Sequence, residues 1–327
     1  MSKRRSAVIA LSVAMLVLAS CGSSKKPEVQ SGGNSADDAI PAPIFPLGSS
    51  LERIQQSQKL KVGVPFNQPG FGVKGANDLE PQGFDIEIAK LVAQGLFGGI
   101  ANDASQHIQY VETVSNNRET FLQNGTVDIV IDAYPITDAR KSFVDFAGPY
   151  YVSHGDVLVQ AADRSLQLIS DVNGRAVCAK AGSTLIPQLQ SKAPQVNAVT
   201  ADTYAQCMQR LTDGSVNGVA SDEVVLAGLV QSSNGTTRVL HSNFSDDPYG
   251  IGVPLGSDAM RTFLNDRLDA IEKSGDWANA YTKTLGTLGL AVPPLPTVDR
   301  YVKTPSPRAT SSTTTSSVVS TTTTVKP

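Results

Sequence analysis

The sequence predicts an α/β protein whose strands are mostly parallel. Three observations carry this expectation. Short runs rich in valine and isoleucine, KLKVGV at 59–64, IQYVETV at 108–114 and VDIVIDA at 127–133, read as strands. Stretches with apolar residues at helical spacing lie between them. The two kinds alternate along the chain, which is the order of strands joined by crossover helices.

Each element has its own justification. The run 59–64 alternates apolar and polar residues. GFDIEIAKLVAQGLFG (83–98) sets Ile86, Ile88, Ala89, Leu91, Val92 and Leu96 at near-helical spacing between two glycines, so it reads as a helix bounded at both ends. NRETFLQNG (117–125) reads as a short helix stopped by its glycine. The run 127–133 is apolar enough for a central strand. In such sheets ligands sit at the carboxyl ends of the strands, on the loops that enter the helices.

ITDARKSFVDFAGPYY (136–151) follows the last of these strands. Thr137 is a natural N-cap for a helix starting at Asp138. Arg140 therefore falls in a first helical turn at the ligand-binding edge, where a cation opposes the helix dipole. Two roles would compensate: a structural salt bridge, for instance with Asp138 or Asp145, or a clamp that grips a ligand carboxylate through two parallel hydrogen bonds.

The chain is 327 residues long and 40% hydrophobic, enough for two domains with a real core. Its net charge is −3, without a block of like charge, which argues against nucleic acid as a partner. His107, His154 and His241 lack metal-ligand spacing, and no phosphate loop, nucleophile elbow or zinc motif is present; no cofactor is expected. The ends stand apart from the body. Lys3, Arg4 and Arg5 precede an apolar stretch of signal-peptide length, too short to span a membrane as a helix. It ends in LASC (18–21), which resembles a bacterial lipobox. That resemblance implies cleavage before Cys21, lipidation of its thiol and anchoring through two or more acyl chains. Residues 1–20 are thus expected to be a lipoprotein signal peptide and 21–50 a polar, Gly/Ser/Pro-rich tether. Residues 290–327, Ser/Thr/Pro-rich from 303 on, are expected to be a disordered tail, glycosylated or unmodified.

The order of GFDIEIAKLVA, NRETFLQNGTVDIVIDA and ITDARKSFVDFAGPYY resembles the family 3 solute-binding proteins of bacterial ABC importers, the polar amino-acid binders. The resemblance continues through DVNGRAVCAKAGST (171–184), GSVNGVASDEVVLAGLV (214–230) and the segment 247–286, and so covers nearly all of the body. It implies a periplasmic-binding-protein-like fold of type II: two lobes joined by a two-strand hinge, with the ligand trapped between them. Lobe 1 would comprise 51–149 and a returning part, 251–289; lobe 2 would be 155–245. The hinge strands would lie near 149–154 and 246–250.

The resemblance also implies site residues. Arg140 matches the arginine that clamps the ligand α-carboxylate. Ser183 and Thr184 match the turn whose backbone N–H groups meet that carboxylate from lobe 2, which suits a helix N-terminus. Asp222 matches the aspartate that pairs with the α-ammonium; taken alone it reads first as the N-cap of the following helix. Pro135 stands where a threonine commonly helps hold the ammonium, and only its carbonyl could serve. Pro65 stands in place of a strand-end aspartate, and Gln68 and Ser115 in place of aromatic residues that sandwich the ligand. Phe66, Phe71, Tyr134, Tyr150 and Tyr151 are candidates for the missing aromatic wall, whereas Trp277 reads as core. Lys180 matches a position that reaches the ligand side chain in some glutamine binders. With the acidic neighbour at Pro65 missing, it favours glutamate, glutamine or aspartate; the other reading is a solvated lysine at the lobe edge.

Cys178 and Cys207 are either a disulfide, as expected outside the cytoplasm, or two buried free thiols. The function implied is that of a lipid-anchored, monomeric binding protein on the extracytoplasmic face of the membrane, delivering its amino acid to the permease subunits of an ABC importer. Two other functions use the same clamshell: sensing for a membrane signalling partner, and dehydration of prephenate-like acids. The latter needs a general acid or base in the cleft.

Overall fold

The structure, a computed structural model, describes residues 38–301. The signal peptide expected at 1–20, Cys21, the start of the tether and the tail from 302 lie outside the described residues. The first part of the chain forms α1 (Ser50–Ser57), β1 (Leu60–Val64), β2 (Asn67–Gln68), β3 (Gly72–Val73), α2 (Phe84–Phe97), α3 (Ala101–Ala104), β4 (Ile108–Glu112), α4 (Arg118–Gln123), β5 (Ile129–Val130) and α5 (Asp138–Lys141). The long strand β6 (Val144–Gln160) leads into β7 (Ala176–Lys180), α6 (Leu185–Lys192), β8 (Asn197–Ala201), α7 (Tyr204–Thr212), β9 (Gly218–Asp222), α8 (Glu223–Ser232) and β10 (Thr237–Val239). The chain returns through β11 (Ser245–Pro254) to α9 (Asp258–Ser274) and α10 (Asp276–Lys283).

The strands run β4-β1-β5-β11-β6-β9-β7-β8, with β10 added to β6. Pairing is parallel among β4, β1 and β5 and among β8, β7 and β9. It is antiparallel wherever β6 or β11 takes part. Two parallel α/β halves are thus joined by two long antiparallel strands. β6 is long enough to serve both halves: its first part pairs with β11, and Gly155–Val159 pair with β9. Along the crossing, Tyr151 faces Tyr249 and His154 faces Asp246. The result is two lobes on a two-strand hinge.

Burial follows the patterning. α2 buries nearly its whole length, because its apolar residues are not confined to one stripe. It starts at Gly83, where φ is +144° and a Cβ would collide with the Phe71 carbonyl; only glycine lets helix and hairpin approach so closely. Below the hinge an aromatic cluster joins Phe71, Phe84, Tyr151, Tyr249, Trp277 and Tyr281 edge to face or stacked. Trp277 is buried, and its Nε1–H donates to the Tyr150 carbonyl at 2.7 Å. A separate core in the second lobe packs Val157, Val177 and Ala220 against Leu185 and Leu189 of α6. There the Cys178–Cys207 disulfide ties β7 to α7, with Cα atoms 5.5 Å apart.

Two boundaries differ from the sequence reading. Residues 38–49, assigned to the tether, are docked: Ile40 and Gly99 exchange two backbone hydrogen bonds, and Phe45 packs edge-on against Phe263 of α9. Residues 290–301, assigned to the tail, are also docked. The Asp299 N–H donates to Gly148, the Tyr301 hydroxyl accepts from the Phe146 N–H, and Arg300 pairs with Asp266 and Asp269 of α9. Specific polar and ring contacts hold both segments, and contacts of that kind leave no periodic pattern in the sequence.

Candidate functional site

Three loops at carboxyl ends of strands meet between the lobes. The chain leaving β5 supplies Ala133, Pro135 and then Arg140; the chain leaving β7 supplies Ser183, Thr184 and Leu185; β9 ends on Asp222. Together with Gln68, Ser115, Arg118, Tyr204 and the hinge residues Asp247 and Tyr249, they line a cavity of ≈ 20 Å³. Such a space admits a water-sized sphere, so an amino acid would have to part these walls.

Arg140 is 9% exposed. Thr137 caps its helix as expected, accepting the Arg140 N–H at 3.2 Å. Its ion-pair partner is neither Asp138 nor Asp145 but Glu119, at 3.3 Å from Nε. Nη1 donates to the Pro135 carbonyl at 3.0 Å, and Nη2 crosses the cleft to the Gly182 carbonyl at 3.2 Å. Each terminal nitrogen carries a second N–H, so the fork keeps donors for a ligand. Burial lowers the Arg140 pKa, and neighbouring Arg118 adds to that.

Arg118 was not singled out from the sequence, where it reads only as the opening residue of a short helix. It is buried on the cavity wall and donates to Asp132 Oδ2 at 2.7 Å. Ala133, between these residues in the wall, has φ of +38°, unusual for a residue with a side chain. Buried Asp85 holds it there by accepting the Ala133 N–H at 2.7 Å, while its other oxygen accepts the Tyr150 hydroxyl.

On the opposite wall, Asp222 is 5% exposed and does two things at once. It caps α8, accepting the Val225 N–H at 3.3 Å, and it faces the cavity. Burial pushes its pKa up to about 6, against the lowering effect of the Val225 N–H and the Tyr249 hydroxyl. Ser183 and Thr184 sit at the start of α6, and the buried Ser183 Oγ has no hydrogen-bond partner among the described residues. Asp247, another residue the sequence reading missed, braces that helix by accepting from Gln188 Nε2 at 2.7 Å and Thr184 Oγ1 at 3.4 Å.

The structure thus gathers Arg140, Pro135, Ser183, Thr184 and Asp222 around one cavity. It leaves Lys180 off the lining. Lys180 is 2% exposed, its Nζ has no hydrogen-bond partner among the described residues, and it lies 5.9 Å from the ring centre of Tyr204, which does line the cavity. Burial lowers its pKa, partly opposed by Asp132. It is therefore not a solvated lysine at the lobe edge. The aromatic lining comes from Tyr204 and Tyr249. None of Phe66, Phe71, Tyr134, Tyr150 or Tyr151 lines the cavity: Phe71 and Tyr151 belong to the hinge cluster, Tyr150 to the Asp85 site, and Tyr134 packs beneath the arginines.

Two lobes on a hinge, with cations and helix starts facing a carboxylate across a buried cavity, define the class: a clamshell receptor for a small solute. The chain belongs to the bacterial extracellular solute-binding proteins, family 3, whose sequence model matches residues 60–287. The glutamine-binding protein of Geobacillus stearothermophilus is 32% identical over 247 residues, 75% of this chain and 89% of that protein. The glutamate-binding protein GluB of Corynebacterium glutamicum is 30% identical over 240 residues, 71% of this chain and 80% of that protein. Among solved structures, an ancestral arginine-binding protein bound to glutamine matches with a TM-score of 0.63 and 28% identity, covering 70% of this chain and 98% of that one. The fold is of the type II periplasmic-binding-protein-like class.

Proposed function

We propose that this protein captures a polar amino acid, with glutamate, glutamine or aspartate favoured, and delivers it to the permease of an ABC importer. The reading is supported by one observation: Arg140 and the start of α6 lie on one cavity with Asp222, an arrangement suited to reading a zwitterion. Arg140 and the start of α6 would take the α-carboxylate, and Asp222 would take the α-ammonium. The Pro135 carbonyl lies beside them, although Arg140 already uses it. Lys180, buried behind Tyr204, would favour an acidic or amide side chain. The names of the curated relatives, glutamine-binding and glutamate-binding, support the same ligand class.

Binding and not catalysis is the reading for this cavity, because the relatives the chain resembles are named as binding proteins. Anchoring at the extracytoplasmic face of the membrane would come from Cys21. Among the described residues no helix is long and apolar enough to cross a membrane. A thermal-shift screen with all twenty amino acids tests the proposal. A ligand at a hundredfold excess over its dissociation constant adds about 2.7 kcal/mol of stability. Glutamate, glutamine or aspartate should raise the melting temperature of the wild type and not of Arg140→Ala. If no amino acid does so, the ligand class is wrong.

A further inference from the structure

Arg118 and Arg140 are two cations beside one cavity, and nothing in the zwitterion reading explains how they are held so close. Both guanidinium groups lie over the ring of Tyr134, at 5.0 and 4.9 Å from its centre. Tyr134 itself is fully buried. Its hydroxyl donates to Glu119 Oε1 at 2.6 Å, the same oxygen that pairs with Arg140 Nε. Asp132 balances Arg118 in the same way that Glu119 balances Arg140. The ring face attracts both cations where they would otherwise repel each other, and the hydroxyl fixes the carboxylate that fixes the second of them.

We infer that Tyr134 is the positioning residue of the site: with Glu119 it sets the direction in which the Arg140 fork meets a ligand carboxylate. The inference rests on the proposed role of Arg140. Neither Tyr134 nor Glu119 lines the cavity, so their effect would pass through the arginines that do: Glu119 acts on Arg140, and the ring on Arg140 and Arg118 together. An arginine freed from this cradle would keep its charge and lose its orientation, and orientation is what distinguishes a two-bond grip from a diffuse attraction.

The test compares ligands on the same variant. L-glutamine and L-glutamate are each titrated against their α-amides, which lack the α-carboxylate. The ratio of the two dissociation constants reads the quality of the carboxylate grip and is insensitive to a general loosening of the fold. In Tyr134→Met, which keeps apolar bulk but removes ring and hydroxyl, the ratio should fall about tenfold. In Tyr134→Phe, which keeps the ring, it should fall by a smaller factor, about threefold. A ratio unchanged in both variants overturns the inference; should Tyr134→Met fail to fold, an unchanged ratio in Tyr134→Phe does so alone. Arg140→Ala separates the layers. If it abolishes the ratio while both Tyr134 variants leave it unchanged, the positioning role fails and the binding role stands. If it leaves the ratio intact, or if the wild type binds neither amino acid, the role of Arg140 fails and this inference with it.

Discussion

Asp222 gives the most detailed prediction, because its burial and its proposed ligand pull in opposite directions. Burial pushes its pKa from the ordinary 3.8 up to about 6. A pKa raised by folding contributes stability that is present below 3.8 and lost as pH rises through about 6, so the ligand-free fold favours the protonated acid. The rise corresponds to roughly 3 kcal/mol at neutral pH. Binding an ammonium favours the carboxylate instead and brings the pKa of the complex back down. Affinity is then fully present above about pH 6 and declines as pH falls through it. With a free-state pKa of about 6, some nine-tenths of the protein is ionised at pH 7 and about one-tenth at pH 5. The dissociation constant of L-glutamine should therefore rise about tenfold between those values, or about 1.4 kcal/mol. Glutamine itself has no group titrating in that interval. Calorimetry in two buffers of different ionisation enthalpy would show proton release on binding near pH 6. Asp222→Asn should bind more weakly with a flat profile. Equal affinity at pH 5 and pH 7 in the wild type, without proton release, would refute the pairing of Asp222 with the ammonium.

Other predictions follow from single features. Replacing Cys178 and Cys207 together by serine should lower stability to urea by about 3–4 kcal/mol, as expected for a cross-link spanning 29 residues; two reactive thiols in denatured, unreduced protein would rule the bond out. Lys180→Met removes a buried ammonium with no hydrogen-bond partner among the described residues and should stabilise the ligand-free protein by about 1–3 kcal/mol, seen by the same denaturation. The same change should weaken glutamate and glutamine binding, and unchanged affinity for both would remove Lys180 from specificity. Gly182→Ala places a Cβ against Asn116 across the cleft, at a φ of +76° that disfavours it. It should cost about 1–3 kcal/mol of stability and, by obstructing closure, weaken ligand binding in a titration.

Much of this architecture was legible beforehand because it is written in local patterns. Valine-rich runs and bounded helical spacing marked the strands and helices, and the order of motifs marked the hinge, where His154 does face Asp246. Thr137 and Asp222 announced their helix starts as caps do. The cavity was legible only where a residue sits at a strand end or a helix start. Asp247 and Tyr249 line it from within β11, with no such mark, and Arg118 and Tyr204, although each opens a helix, carry no local sign that they face a cavity formed by the crossing of β6 and β11 and by lobe packing. The partner of Arg140 could not be chosen from spacing, because Glu119 comes from the preceding helix, α4, and is held by Tyr134. The docked segments 38–49 and 290–301 escaped for a related reason. Both lie outside the family match at 60–287, and each is fixed by a few specific contacts on lobe 1.

Most directly at stake is the claim that Arg140 and Asp222 grip the two ends of one amino acid. A crystal structure of the protein with L-glutamine would test it. The α-carboxylate should lie within hydrogen-bonding distance of both terminal nitrogens of Arg140 and of the start of α6, and the α-ammonium against Asp222. An amino acid bound in the reverse orientation, or held in the cleft without contact to Arg140, would contradict the account.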